Sequence, residues 1–297
     1  MPEKDLIKIS IVIPAYNEAK AIGMVLDEVR KVMEGLKTPY EIIVVDDGSQ
    51  DGTGNIAKNK GAELVRHHRN QGSGSARRSG ILAAKGEIVL MLDADGSYPA
   101  SSIPAILRSF PEADQVIGAR KAEAGSYPLL RRPAKWLIRK LACFLARQEI
   151  PDLNSGLRAM KRGTMLKFLH LLPEGFSCVG TMTLAFLMNG FNVVFVPCEY
   201  RPRIGKSKFH PVKDTYNYLI TVIRMIMYFD PLRVLMPISI LIGTVGFLKG
   251  IFDFFYTGTL QESDIILVLF SINLAALGVL GDMLARREKI KILKKDE

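Results

Sequence analysis

The first two thirds of the chain alternate short apolar runs with segments in which apolar residues recur at helical spacing. The apolar runs predict strands, which cover residues 9–14, 40–45, 63–65 and 87–92. The helical patterns between them cover residues 19–37, 53–60 and 75–85. Strands that alternate with helices predict a mainly parallel, doubly wound α/β sheet. Ligands of such sheets bind beyond the carboxyl ends of the strands, so the polar residues that follow each strand are candidates for chemistry.

The last third of the chain contains two long apolar runs. They cover about residues 234–256 and 264–285, and each reaches the roughly 20 residues that span a hydrocarbon core. The link between them has no Lys or Arg, whereas both outer flanks are basic through Arg224, Arg233, Arg286, Arg287, Lys289, Lys291, Lys294 and Lys295. The positive-inside rule then places the N-terminal domain and both chain ends in the cytoplasm. The alternative, a buried helical hairpin of a soluble protein, is disfavoured by this length and charge asymmetry.

These patterns predict an α/β domain over residues 1–230 and a two-helix transmembrane hairpin over residues 231–297 that ends in a basic cytoplasmic tail. The chain has a net charge of +10, which favours phosphates and anionic lipid as partners. Basic and apolar residues alternate over about 128–147, around Trp136, which predicts an amphipathic helix in the membrane interface. An ordinary surface helix is the alternative. Because the charge lies beside apolar helices, we expect lipid and no nucleic acid as the partner.

The strongest chemical signal follows the fourth predicted strand, where the chain reads Asp93-Ala94-Asp95-Gly96. Residues two apart on an extended segment share a face, so Asp93 and Asp95 can point to one spot. Carboxylate oxygens suit Mg²⁺ or Mn²⁺, especially where a substrate phosphate supplies further oxygens. The alternative is a solvated turn that happens to carry two acids.

Two further polar loops follow predicted strands, at residues 14–18 and 46–49. A glycine-rich turn at residues 70–77, which includes Gly72, opens the third predicted helix. Such a turn lets a phosphate or ribose approach a helix N-terminus closely, although on its own it is a common turn sequence. Acidic groups at two strand ends together with this turn describe a bound nucleotide. One acidic loop would hold the ribose, and the other would hold the diphosphate through a metal.

Three motifs together resemble the signature of glycosyltransferase family 2, with its GT-A nucleotide-sugar fold. They are Ile13-Pro14-Ala15-Tyr16-Asn17-Glu18, Val45-Asp46-Asp47-Gly48-Ser49 and Asp93-Ala94-Asp95. Segments 117–120, 152–158 and 203–208 are more specifically similar to the polyprenyl-phosphate glycosyltransferases, the dolichol-phosphate mannose synthase group. The resemblance covers about residues 8–233, and a trailing transmembrane hairpin also occurs in that group. These motifs are specific for the fold and for sugar transfer, and not for the sugar.

The resemblance implies roles for individual residues. The predicted nucleotide-sugar contacts are Pro14, Ala15, Tyr16, Glu18, Asp46, Asp47, Gly72, Arg203 and Ser207. The predicted metal contacts are Asp93, Asp95 and Ser97, with Asp95 the most direct; Ser97 stands where the mannose synthases carry a glutamine, which puts a mannose donor in question. The predicted acceptor-phosphate contacts are Arg120, Arg131 and Ser155. The predicted catalytic set is Asp93, Asp95, Arg120, Asp152 and Arg203.

The implied activity is inverting transfer of a hexose from a UDP- or GDP-linked sugar to a polyprenyl or dolichyl phosphate, with Mg²⁺ or Mn²⁺. A phosphate monoester, whose second pKa is about 6, attacks without a general base. One alternative is a hydroxyl acceptor on another lipid, a polysaccharide or a protein, which would need a base, and Asp152 is the candidate. A second alternative is a non-catalytic nucleotide-sugar-binding scaffold. Small residues of the hairpin, Gly243, Gly246, Gly278 and Gly281, could support homo-oligomers.

Overall fold

The computed structural model describes residues 8–120, 140, 142–144, 146, 148–175, 177–205, 216, 220–221, 223–225 and 227–293. The chain divides into two compact units, Met1–Thr221 and Val222–Glu297. The predicted interfacial helix at about 128–147 falls largely outside the described residues. Residues 140, 142–144 and 146 of that segment are helical, and a location in the membrane interface remains a prediction.

The first unit is built on a seven-stranded sheet in the order β3-β2-β1-β4-β6-β5-β7. Its strands are β1 (Ile9–Ala15), β2 (Tyr40–Asp46), β3 (Glu63–Arg66), β4 (Ile88–Met91), β5 (Gln115–Arg120), β6 (Arg158–Lys161) and β7 (Val193–Cys198). Strand β6 runs antiparallel to β4 and β5, whereas the other neighbouring pairs are parallel. The predicted doubly wound, mainly parallel sheet is confirmed, and the antiparallel strand is an addition to it.

Helices cover the sheet, and the bounds of the first three agree with the predicted segments to within a few residues. They are α1 (Ile22–Leu36), α2 (Thr53–Asn59), α3 (Ser73–Ala83), α4 (Ile103–Leu107), α5 (Arg162–Lys167) and α6 (Cys178–Met188). Short 3₁₀ turns occupy Ala100–Ser102 and Leu169–Leu171. Helix α1 buries a single stripe, formed by Ile22, Val25, Leu26, Val29 and Met33. That spacing is the amphipathic pattern from which this helix was predicted.

The register of the sheet brings the candidate loops to one edge. Ala15 at the end of β1 pairs with Asp46 at the end of β2, and Arg120 at the end of β5 pairs with Cys198 at the end of β7. Met91 at the end of β4 lies opposite Arg158, the first residue of antiparallel β6. The loops that follow β1, β2, β4, β5 and β7 and the loop that precedes β6 therefore emerge at the same edge.

The second unit is a hairpin of two long helices, α7 (Leu232–Thr257) and α8 (Glu262–Leu293). Segments Leu232–Thr257 and Glu262–Arg287 have mean hydropathies of 1.9 and 2.2 and are long and apolar enough to cross a membrane. Large apolar side chains such as Phe247 and Leu269 are exposed on the hairpin. A lipid-facing hairpin presents such a surface, whereas the core helix of a soluble protein buries it.

Small residues of α7 lie where the two helices of the hairpin pack closely. A Cβ atom added at Gly243 would lie 2.8 Å from Ser271 Oγ, and one added at Gly246 would lie 2.7 Å from Leu267 Cβ. These glycines therefore let α7 approach α8 within one chain, and self-association through them stays a prediction. Near the turn of the hairpin, Lys249 Nζ lies 2.6 Å from Asp264 Oδ1 and also pairs with Asp253.

Candidate active site

The loops after β1 and β2 are braced against each other. The backbone N–H of Asp47 donates to the carbonyl of Ala15 at 2.9 Å. The backbone N–H of Glu18 donates to Thr53 Oγ1 at 2.8 Å, and Thr53 in turn bonds Asp51. These bonds fix the shape of loop 14–18, where Pro14, Tyr16 and Glu18 are partly exposed and Ala15 is buried.

The two adjacent acids that follow β2 are buried and fully engaged with their own fold. Asp46 is 1% exposed and accepts hydrogen bonds from the backbone of Ser49 and from Arg66 Nε. The carboxylate of Asp47 accepts from the backbone N–H groups of Gln71 and Gly72, both at 2.9 Å. Both acids thus organise the loops around them, and their predicted contact with a nucleoside stays a prediction.

Asp47 also belongs to a relay that the sequence did not reveal. Its Oδ1 lies 2.7 Å from His67 Nδ1, and His67 Nε2 lies 2.9 Å from Ser79 Oγ. Ser79 lies inside α3, where the backbone N–H groups are used by the helix and do not form an oxyanion hole. The relay therefore joins the end of β2, the end of β3 and α3.

The glycine-rich turn packs against a distant segment of the chain. A Cβ atom at Gly72 would lie 2.5 Å from the carbonyl oxygen of Glu174, and the backbone N–H of Gly74 donates to that same oxygen at 2.7 Å. Gly72 also has a positive φ of +97°. Its lack of a side chain is thus required by this close approach. Contact of Gly72 with a nucleotide stays a prediction.

The two aspartates of the metal motif lie in the loop after β4, and each faces an arginine. Arg77 Nη2 donates to Asp93 Oδ1 at 2.6 Å. Arg203 Nη1 lies 3.7 Å from Asp95 Oδ2. Burial raises the pKa of Asp93, Arg77 opposes that rise, and the nearby Asp95 carboxylate adds to it. Burial opposes the charge of Arg203, yet Asp95 raises its pKa. Two carboxylates this close to each other therefore need positive charge beside them.

Ser97 supports this motif from within the loop. Its backbone N–H and its hydroxyl both donate to Asp95 Oδ1, at 3.0 and 2.5 Å, and Ser97 is buried. Gly96 between them has a positive φ of +72°, which a glycine adopts without strain. The observed contacts hold Asp95 in place, and the predicted role of Ser97 as a metal ligand stays a prediction.

Arg77 was missed in the sequence, although the pattern of α3 contains a signal for it. It lies on the buried face of the helix, together with Gly74, Ala76, Gly80 and Ile81. A charged residue on such a face requires a partner. The partner, Asp93, follows another strand and becomes a neighbour only in the folded sheet.

The residues predicted to contact the acceptor lie in the loops after β5 and before β6. Arg120 bonds both carboxylate oxygens of Asp152, with Nε to Oδ2 at 2.6 Å and Nη2 to Oδ1 at 2.9 Å. Burial opposes the charge of Asp152, but Arg120 lowers its pKa overall. The hydroxyl of Ser155 is buried beside Tyr98, so its predicted contact with an acceptor phosphate stays a prediction.

One aromatic residue connects the two predicted arginines. The guanidinium of Arg120 lies 5.3 Å from the centre of the Tyr200 ring, and Arg203 Nη2 lies 3.5 Å from the Tyr200 hydroxyl. The same loop is fixed to the metal motif by the bond from Ile204 N–H to the Asp95 carbonyl, at 2.9 Å. Arg120, Arg203 and Asp95 therefore belong to one site. Ser207 and Arg131 lie outside the described residues.

The donor set fits a divalent cation that shares its ligands with a substrate. Asp93 and Asp95 offer hard oxygen atoms at the edge where sheet ligands bind. Within the described part of the chain, no group of three or more His, Cys, Asp or Glu side chains is placed to hold a metal. Further ligands would have to come from a bound phosphate or from water.

The family model described as "Glycosyl transferase family 2" matches residues 10–168 of this chain. The chain belongs to glycosyltransferase family 2. A second model, "GtrB C-terminal hairpin", matches residues 230–286 of this glycosyltransferase. The predicted family and the predicted class of enzyme are confirmed by these matches, whereas the roles of the individual residues stay predictions.

Curated relatives cover most of this glycosyltransferase. A dolichyl-phosphate hexose transferase of Haloferax volcanii is 30% identical over 71% of this chain and 90% of the relative. An undecaprenyl-phosphate 4-deoxy-4-formamido-L-arabinose transferase of Aeromonas hydrophila is 27% identical over 96% of this chain and 91% of the relative. Both names describe sugar transferases that act with a polyprenyl phosphate.

Solved structures share the fold of the glycosyltransferase. Glucosyl-3-phosphoglycerate synthase of Mycobacterium tuberculosis, in complex with Mn²⁺, UDP and phosphoglyceric acid, superposes with a TM-score of 0.60 and 21% identity. The match covers 73% of this chain and 78% of that one. The predicted GT-A fold is confirmed by this likeness.

Proposed function

We propose that this glycosyltransferase moves a hexose from a nucleotide sugar to a polyprenyl phosphate with the help of a divalent cation, and that the hairpin anchors it in the membrane. The observation that carries the proposal is the pair of Arg120 and Asp152 at the acceptor side. An acid whose pKa is lowered by an arginine is a poor general base. A phosphate acceptor needs no base and gains from the arginine, whereas a hydroxyl acceptor needs the base.

The reaction forms one bond and breaks another at the anomeric carbon. A phosphate oxygen of the acceptor attacks C1 of the hexose, and the bond from C1 to the donor diphosphate breaks with inversion. The electron pair of that bond leaves with the nucleoside diphosphate. Arg120 would orient the attacking phosphate, and Arg203 would stabilise the negative charge of the leaving diphosphate.

The donor would bind along the edge from loop 14–18 to Asp95. Pro14, Tyr16 and Glu18 are exposed enough to border the base and ribose. Asp93 and Asp95 would hold Mg²⁺ or Mn²⁺, which supplies positive charge to the diphosphate. Solved relatives of the fold hold Mn²⁺ or Mg²⁺ together with UDP, which supports such a cation here. Ser97 would position Asp95 through its hydroxyl.

The orientation in the membrane follows from charge. The flanks of the hairpin contain Arg233 on one side and Arg286 and Arg287 on the other, whereas the turn between the helices has no Lys or Arg. We therefore place the catalytic domain and the C-terminal tail in the cytoplasm.

The test is a transfer assay with the full chain in detergent or nanodiscs. Radiolabelled UDP- and GDP-hexoses are offered one at a time with Mn²⁺ and either undecaprenyl phosphate or dolichyl phosphate. We expect label in the lipid phase, as an acid-labile phosphodiester, with at least one donor. Asp95→Asn serves as the inactive control. The proposal fails if no donor gives lipid-linked label, or if label passes instead to the hydroxyl of diacylglycerol or of a free polyprenol.

A further inference from the structure

Arg77 is a charged residue whose place in the site cannot be explained by its hydrogen bonds to the backbone. It is 6% exposed, and its Nε is buried and has no hydrogen-bond partner. Nη1 donates to the carbonyl of Ser73 at 3.2 Å, and Nη2 donates to Asp93 at 2.6 Å. A buried guanidinium that leaves one donor unsatisfied is costly unless a counter-charge holds it. Asp93 provides that charge.

Arg203 pairs with the second aspartate at a longer distance. Its guanidinium lies 3.7 Å from Asp95, whose side chain is 13% exposed. The backbone bonds from Arg201 N–H to the Ser97 carbonyl, at 2.8 Å, and from Ile204 N–H to the Asp95 carbonyl keep this segment beside the motif. Arg203 thus lies where positive charge is needed most, next to the predicted metal ligand.

The positive charges beside the motif therefore at least match its negative charges before any ligand binds. Asp93 and Asp95 contribute two negative charges, and Arg77 and Arg203 contribute two positive charges. Arg158, which is fully buried, is close enough to Asp93 to influence its ionisation. A divalent cation that enters alone meets a motif without excess negative charge, and the arginine beside each carboxylate repels it.

We propose that Arg77 and Arg203 act as internal counter-cations of Asp93 and Asp95, so that the divalent cation binds firmly only together with a nucleoside diphosphate. The diphosphate supplies both ligand oxygens and negative charge, and it accepts Arg203 when that arginine leaves Asp95. Arg77 is buried and stays on Asp93, which leaves Asp95 as the carboxylate most available to the metal. This inference rests on the proposed function, because that function supplies the diphosphate.

The test measures binding of Mn²⁺ to the full chain in detergent, by the loss of the free-ion signal in electron paramagnetic resonance. Titrations are run with Mn²⁺ alone, with UDP and with GDP, and the binding of Mn²⁺ to each nucleotide without protein is subtracted. The variants are Arg77→Met and Arg203→Met. The matched control is Arg78→Met, which removes an exposed arginine from the next position of the same helix. Thermal melts report whether each variant is folded.

We expect the wild-type protein to bind Mn²⁺ alone weakly and to bind it about tenfold or more tightly with the fitting diphosphate. Arg77→Met and Arg203→Met should each tighten the binding of Mn²⁺ alone by about tenfold or more. Arg78→Met should behave as wild type. Arg203→Met should also lose part of the gain from the diphosphate. Since Arg203 lies on a partly exposed loop, this variant tests the proposal even if Arg77→Met does not fold.

The inference is overturned if Mn²⁺ alone binds as tightly as with either diphosphate, or if the folded arginine variants keep the wild-type affinity for Mn²⁺ alone. These outcomes differ from a failure of the proposed function. The chain can still transfer a hexose to lipid phosphate after either overturning outcome. Conversely, an absence of lipid-linked transfer would not change the Mn²⁺ affinities expected here.

Discussion

Arg120 donates two hydrogen bonds to Asp152, and both side chains are largely buried, with exposures of 16% and 10%. Two parallel bonds of this kind fix the plane of the guanidinium as well as its position. Because Asp152 accepts hydrogen bonds from two nitrogens of the guanidinium, it positions the side chain of Arg120. The pair therefore holds the guanidinium of Arg120 in a fixed orientation beside the place where we propose that the acceptor binds.

The first prediction concerns Asp152→Asn, which leaves Arg120 without its counter-charge. Breaking a largely buried pair costs about 3–5 kcal/mol, so the free energy of unfolding should fall by that order at neutral pH. The matched control is Asp27→Asn, whose pair with Lys60 is exposed and should contribute at most about 1 kcal/mol. Denaturant unfolding of the detergent-solubilised chain measures both. Equal effects of the two substitutions would contradict the assignment.

The same pair predicts a direction for acid stability. Burial opposes ionisation of Asp152, but Arg120 lowers its pKa below the ordinary value of 3.8. A lowered folded-state pKa means that the pair contributes fully above about pH 4 and that this contribution disappears as the pH falls through the folded pKa. Asp152→Asn should therefore flatten the loss of stability between pH 5 and the acid limit. A variant with the wild-type acid profile would exclude this linkage.

The second prediction concerns Asp95, the carboxylate most available to the cation. Asp95→Asn keeps the hydrogen bond from the Ser97 backbone but loses a charge that the metal requires. We expect kcat/KM for hexose transfer to fall by about 10²–10³-fold or more, with an unchanged thermal melt. Asp114→Asn, at the opposite end of β5, is the control and should retain activity. Near-normal transfer by Asp95→Asn would remove the metal assignment.

The third prediction concerns Thr53, which is fully buried and braces the two nucleotide loops. Thr53→Val keeps the shape but leaves the N–H of Glu18 unpaired, which should cost about 1–3 kcal/mol of unfolding free energy. Thr53→Ser restores the hydroxyl and should recover most of that loss. If valine and serine destabilise the protein equally, the hydroxyl is not the group that matters.

The fourth prediction concerns His67 as a positioning residue for Asp47. His67→Ala removes the 2.7 Å contact with Asp47, which should loosen the turn at Gly72. We expect KM for the nucleotide sugar to rise several-fold while kcat changes little, because no reacting atom is touched. His68→Ala, at the exposed neighbouring position, is the control. A loss of kcat with unchanged KM would assign His67 a different role.

Local patterns were sufficient to predict the first four strands and the loops that follow them. The apolar run at 9–14 predicts β1, and the helical spacing of apolar residues predicts α1. The position of Asp93 and Asp95 follows from the point where β4 ends. The antiparallel strand Arg158–Lys161 is short, and its pairing with β4 and β5 depends on contacts that no period in the sequence records. Its orientation could therefore not be predicted.

Local sequence patterns could not predict the side-chain partners at the site, for the same reason. Arg77 meets Asp93, and His67 meets Asp47, only because β2 and β4 both lie beside β1 and α3 packs across β1 and β2. Gly72 was interpreted as a phosphate contact because glycine turns at helix starts often serve that purpose. Its close neighbour in the fold is the backbone of Glu174, which lies far away along the chain, and contact of Gly72 with a phosphate stays a prediction.

The central claim is that an oxygen of a lipid phosphate attacks the sugar, and isotope labelling tests it directly. Polyprenyl phosphate with ¹⁸O in its non-bridging phosphate oxygens is incubated with the full chain, Mn²⁺ and a nucleotide sugar labelled with ¹³C at C1. The ¹³C spectrum of the product then reports which oxygen is bonded to the anomeric carbon. The account predicts ¹⁸O at C1, in a phosphodiester of inverted configuration. A product with ¹⁶O at C1, or transfer to a hydroxyl group with the labelled phosphate unchanged, would contradict it.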